Sequence, residues 1–160
     1  RYRDAILYVH DQTLLGMNQG KDVHTLMQEI QLPSDLDIGE SYGRISWSVR
    51  GIYEGYMGWF DGNPASMFST PVDSAYPDLV ALAGGASAVA ALAQTQIDAG
   101  DFELALHSAD IALSAEPDNR RALEARLAAF EGLLADSDNS NEIGWLRHGV
   151  RETQAALDQL

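Results

Sequence analysis

Apolar side chains recur along this chain at steps of three and four residues, the period of an α-helix, and no stretch carries a strand signal. Tyr2, Ile6, Val9, Thr13 and Met17 share one helical face and Gly20 supplies a stop, which predicts a first helix from about Tyr2 to Asn18. Asp22 is placed to cap a short second helix carrying Val23, Leu26, Met27 and Ile30. That helix must end before Pro33, because the residue preceding a proline is pushed out of the helical region. Leu32 to Gly43 reads as a loop. From Arg44 the helical period returns through Ile45, Val49, Ile52, Tyr56 and Phe60, until Asp61-Gly62-Asn63-Pro64 breaks it. Residues 65–77, with Pro71 and Pro77, have no regular period and are expected to be an extended connection.

The clearest periodic unit lies further on. Residues 86–119 form a block of 34, the length of a tetratricopeptide repeat, and GDFELALHSADIALSAEPDN resembles the second half of that repeat. Gly100 and Asp101 would make the turn, Phe102 would plug the helical hairpin, Ala105 and Ala112 would let helices approach closely, and Pro117 would end the second helix. One repeat cannot bury its own face, and helices expected at about Arg120 to Ala135 and Glu142 to Leu157 can supply the neighbour. The fold class expected is all-α, a helical bundle with a tetratricopeptide-like hairpin array in the second half. We read it as one helical domain, 1–160, whose parts 1–80 and 81–160 differ in packing style.

Composition sharpens that division. Ten of the thirteen aromatic residues and all four Met precede Leu79, whereas 19 of the 22 Ala follow it, so large side chains fill the first half and small ones the second. A net charge of −14 repels phosphate backbones and anionic bilayers, which excludes nucleic acid and membrane surfaces as partners. Without cysteine there is no disulfide, thiolate site or cysteine nucleophile. The chain opens at Arg1 directly into a helical pattern, and we expect it to be a segment of a longer protein.

Candidate chemistry is sparse. His10, His24, His107 and His148 are scattered without a recognised ligand spacing, and His10 and Asp11 are expected on different faces of their helix. There is no Gly-x-Ser-x-Gly elbow, and the Gly84-Gly85 pair lacks the lysine of a phosphate loop, Lys21 being the only lysine in the chain. No catalytic residue, metal or cofactor is therefore assigned to the chain itself. The stretch 41–65 differs in character: on its helix Arg50, Tyr53 and Tyr56 lie along a drifting arc, and a planar guanidinium beside phenols suits an oxyanion. The plainer alternative is an aromatic core stripe with Arg50 paired to Glu54 four residues on.

RYRDAILYVHDQTL, the LPSDLDIGE loop and YGRISWSVRGIYEGYMGWFDGNPA together resemble the dimerisation domain of the alkyl sulfatases, zinc enzymes of the metallo-β-lactamase superfamily. GGASAVAALAQTQIDAGDFELALHSADIAL is a second landmark of the same likeness. The resemblance implies a parent hydrolase of alkyl sulfate esters, with a catalytic domain holding a zinc pair through a His-x-His-x-Asp-His motif before this segment and a sterol-carrier-like domain after it. It implies that a basic residue and a tyrosine six positions later hold the sulfate, a spacing that Arg50 and Tyr56 share; Tyr53 is added from its place on the arc. It favours a periplasmic or secreted location. Both lines of reasoning predict a twofold homodimer through the first-half helices, with Trp47, Trp59 and Phe60 at the interface. The rival readings are a tetratricopeptide-like adaptor that binds peptides and an autonomous hydrolase with its own metal.

Overall fold

The computed structural model describes residues 1–160 as eight α-helices and two single 3-10 turns with no strand, the all-α class expected from the sequence. The chain divides into two compact units, residues 1–69 and 70–160, ahead of the compositional change at Leu79.

In the first unit, α1 spans Tyr2–Asn18, α2 spans Val23–Glu29 and α3 spans Ile45–Met57. The core of this unit gathers Val9, Leu26 and Val49, one from each helix. The buried face of α1 is Ala5, Val9, Thr13 and Gly16, and this corrects the expected stripe, since Tyr2 and Ile6 are exposed. Small residues win because they admit a neighbouring helix closely: a Cβ added to Gly16 would stand 2.2 Å from a Leu26 methyl. Asp22 caps α2 as predicted, accepting from the backbone N–H groups of His24 at 2.9 Å and Thr25 at 3.1 Å and from the Thr25 hydroxyl at 2.6 Å. The Thr25 hydroxyl is the main reason that the Asp22 carboxyl lies below the usual aspartate range.

Helix α3 is shorter than its apolar period. It ends at Gly58, whose φ of +70° no larger residue adopts readily, so Trp59 and Phe60 leave the helix and pack on each other with ring centroids 5.5 Å apart. A 3-10 turn at Pro64–Met67 follows, capped by Asn63.

The second unit begins with a 3-10 turn at Val72–Ala75 and continues as α4 Tyr76–Leu82, α5 Ala86–Asp98, α6 Phe102–Ala115, α7 Arg120–Asp136 and α8 Ser140–Leu157. Helix α4 and the two 3-10 turns correct the extended connection expected over 65–77. Pro77 does not break α4 because it sits in the first turn, where its missing N–H has no partner to lose. Val80 of α4 joins Ala86, Ala90, Ala112 and Ala122 in one core, while Ala93, Ala109 and Ala125 form a second. Helices α5, α6 and α7 pack on one another through these alanines, and α8 packs on α7, where the ring of Phe130 lies against Gly149. The ring of Phe102 lies against Gly132 of α7, where an added Cβ would stand 2.4 Å away. No single helix is long and apolar enough to cross a membrane.

Candidate functional site

The candidate site is built on α3. Its inward residue Val49 is fully buried, which fixes the rotation of the helix and turns Arg50 and Trp47 outward. Arg50 Nε donates to Glu54 Oε1 at 2.7 Å, the pair that the four-residue spacing predicts. Tyr53, one turn along, is half-buried against the core of α1, α2 and α3. Arg50 and Tyr53 both line a cavity of about 520 Å³ whose walls include Met57, Trp59 and Phe60, with Asp22, Glu54 and Asp61 also on its lining. A cation and a phenol thus share one hollow with aromatic and thioether surface.

Tyr56 does not line that hollow. Each three-residue step falls about 60° short of a full turn, so two steps carry Tyr56 about 120° round from Arg50. Its hydroxyl there meets His10 of α1, with Nε2 2.9 Å away and the two rings tilted at 5.8 Å between centroids. The other ring nitrogen, Nδ1, lies 3.0 Å from Asp11 Oδ1. This corrects the expectation that His10 and Asp11 diverge: the imidazole reaches its neighbour's carboxylate around the helix. Sequence reasoning missed His10 as a site residue, and its only trace in the sequence was the adjacent His-Asp pair.

The residues assigned to an interface are open to contact. Trp47 is 41% and Trp59 76% exposed, and Phe60 is half-buried. Met67 and Phe68, which were not singled out, are exposed as well. None of the four histidines belongs to a group of three or more His, Asp or Glu side chains placed to hold a metal ion. In the second unit a cavity of about 410 Å³ is lined by Asp73, Tyr76, His107 and Asp110. Burial raises the Asp110 carboxyl above its usual range, against the opposing pull of Arg126 and His107. Arg126 Nε stands 2.9 Å from Asp110 Oδ1 as an ion pair whose angle falls short of a hydrogen bond.

The model of a known family, described as alkyl sulfatase dimerisation, matches residues 22–155, all but the ends of the chain. The chain belongs to the alkyl sulfatase dimerisation family. Its match begins at Asp22 and therefore takes in α3 with Arg50, Tyr53 and Tyr56, while His10 and Asp11 precede it. Relatives extend the likeness over α1. A linear primary-alkylsulfatase of Pseudomonas sp. (strain ATCC 19151) is 33% identical over 98% of this chain and 30% of its own length. An alkyl/aryl-sulfatase of Saccharomyces cerevisiae is 33% identical over 83% of this chain and 21% of its own length. An (R)-specific secondary-alkylsulfatase of Pseudomonas sp. is 32% identical over 92% of this chain and 24% of its own length. Among solved structures, a stereoselective inverting sec-alkylsulfatase from Pseudomonas sp. matches with a TM-score of 0.80 and 30% identity, over 98% of this chain and 24% of that one. The chain thus spans less than a third of the length of these alkyl sulfatases.

Proposed function

We propose that this dimerisation domain works within a longer, zinc-dependent alkyl sulfatase, pairing with a second copy of itself and lending anion-binding side chains to a neighbouring catalytic domain of the metallo-β-lactamase type. Supporting this reading are relatives that carry alkylsulfatase activity in their names over chains more than three times as long. In this reading the zinc belongs to that neighbouring domain and supplies activation of the attacking water there.

The observation that carries the pairing is the exposed aromatic surface of the first unit. A Trp side chain presents about 200 Å² of mostly apolar area, so covering a ring as open as Trp59 is worth up to roughly 4 kcal/mol at about 25 cal/mol per Å². Trp47, Trp59 and Phe60 are the residues we assign to the contact. Arg50 uses Nε on Glu54, and its two terminal amino groups supply the fork that recognises a sulfate, with Tyr53 as the phenol of the same hollow and Tyr56, round the helix from it, as a separate phenolic contact.

Sedimentation or light scattering at micromolar concentration tests the pairing. The expected mass is twice the 17.4 kDa of one chain, falling toward one chain in Trp59→Ala. A single-chain mass for the unaltered protein would overturn it. Because each copy carries a charge of −14, added salt should tighten the dimer.

A further inference from the structure

The hydrogen-bond direction at Tyr56 is fixed by a residue it never touches. An ionised carboxylate only accepts, so the Nδ1 of His10 that lies 3.0 Å from Asp11 Oδ1 must carry a hydrogen. In the neutral imidazole the other nitrogen is then a bare acceptor. Nε2 is 2.9 Å from the Tyr56 oxygen, so the phenol donates to it and turns its own lone pairs to the outside. Tyr56 is nevertheless 61% exposed. A phenol in this state repels a sulfate oxygen, because it offers an acceptor where a donor is required.

The arrangement reverses if His10 gains a proton. A proton from solvent bonds to Nε2, which now donates to the Tyr56 oxygen. The phenol keeps its own hydrogen and swings it outward about the ring–oxygen bond, and the imidazolium keeps its Nδ1 hydrogen bond to Asp11. No other covalent bond is made or broken. The groups that face this imidazole are few. On α1 the positions one turn away are Ile6, Leu7, Thr13 and Leu14, all without charge. On α3, the helix packed against α1, Tyr56 makes the contact, Tyr53 lies one turn back, and Arg50 and Glu54 are paired with each other.

We propose that Asp11 and His10 act as a positioning pair that couples capture of an oxyanion by Tyr56 to uptake of one proton at His10 Nε2. The coupling rests on the reading of Tyr56 as a sulfate contact, and the two can be separated by experiment. In the full-length sulfatase, inorganic sulfate is titrated by calorimetry at a pH of about 7.5, where an ordinary imidazole is mostly neutral, in two buffers of different ionisation enthalpy. The difference between buffers gives the protons taken up per sulfate bound. The comparison is among the unaltered protein, His10→Gln, whose amide can turn either way without titrating, and Tyr56→Phe.

The expected result is uptake by the unaltered protein that exceeds both variants by about half a proton or more, with sulfate still bound by His10→Gln. A purely structural role for His10 would not move the proton count. Equal uptake in the unaltered protein and His10→Gln, with weaker sulfate binding in Tyr56→Phe, would overturn the coupling and leave the Tyr56 contact standing. Sulfate bound equally tightly by Tyr56→Phe and the unaltered protein would overturn the contact and the coupling together. So would the lack of any saturable sulfate binding by the unaltered protein.

Discussion

The hydroxyl of Tyr56 lies 2.9 Å from Nε2 of His10, joining α3 to α1 across 46 residues of sequence. A net hydrogen bond of this kind contributes about 0.5–1.5 kcal/mol to stability, less where water competes for the partners. His10→Leu and Tyr56→Phe should each destabilise the chain, and the double variant should fall short of their sum by about 0.5 kcal/mol or more. Urea unfolding of the four proteins measures that shortfall. Strict additivity would show that the two groups touch without stabilising one another.

Arg50 and Glu54 pose the opposite case, an ion pair that would compete with the proposed sulfate. The pair is more than half exposed on both sides, so it contributes little to folding. Its carboxylate places a negative charge beside the fork that an anion would use. Glu54→Gln should therefore leave the melting temperature nearly unchanged and, on the proposed function, lower the KM of the longer sulfatase for an alkyl sulfate by a few fold. Arg50→Gln should raise it by tenfold or more, since the loss of a charged hydrogen-bond donor is worth about 1.5–3 kcal/mol. Steady-state kinetics on both variants decides the point, and an unchanged KM in Arg50→Gln would remove Arg50 from the site.

Two glycines in the second unit should respond to alanine with opposite signs. A Cβ on Gly132 would stand 2.4 Å from the Phe102 ring, and forcing extra volume into such a contact costs about 1–3 kcal/mol. Gly144, inside α8, has nothing within 4 Å of the same added atom. There alanine recovers helix propensity and should stabilise by about 0.5–1 kcal/mol. Gly132→Ala is expected to lower the urea midpoint and Phe102→Leu to recover part of that loss, while Gly144→Ala raises it. A neutral Gly132→Ala would mean that the Phe102 ring moves aside freely.

The contacts that sequence made legible are the local ones. The ends of α1, the Asp22 cap and the Arg50–Glu54 pair all follow from spacings of four residues or fewer. The buried face of α1 was misjudged because Tyr2 and Ile6 outweigh Ala5 and Gly16 in hydrophobicity, yet closeness of approach to Leu26 decides which face turns inward. Helix α4 was missed because Pro77 reads as a breaker unless its place in the first turn is known. His10 and Tyr56 meet through the packing of α1 on α3, and no periodicity within either helix carries that information.

Acid should act on the two units in opposite senses. Asp22 and Asp61 of the first unit are held below the usual aspartate range by hydrogen bonds, chiefly from the Thr25 hydroxyl and the Asn63 backbone N–H respectively. Their contribution is in place above the ordinary aspartate value and is lost as pH falls through their lowered midpoints. Asp110 of the second unit is raised by burial, so above its folded midpoint the native state bears the cost of its charge. As pH falls through that midpoint the folded chain takes up the proton before the unfolded chain does, and stability rises until the ordinary value is reached. Asp110→Asn should therefore melt higher than the unaltered protein at pH 7, with the gap closing below about pH 4, where both side chains are neutral. Melting curves from pH 7 to 3 give the comparison, and an Asp110→Asn variant that melts lower at pH 7 would show that the Arg126 ion pair outweighs the burial of its partner.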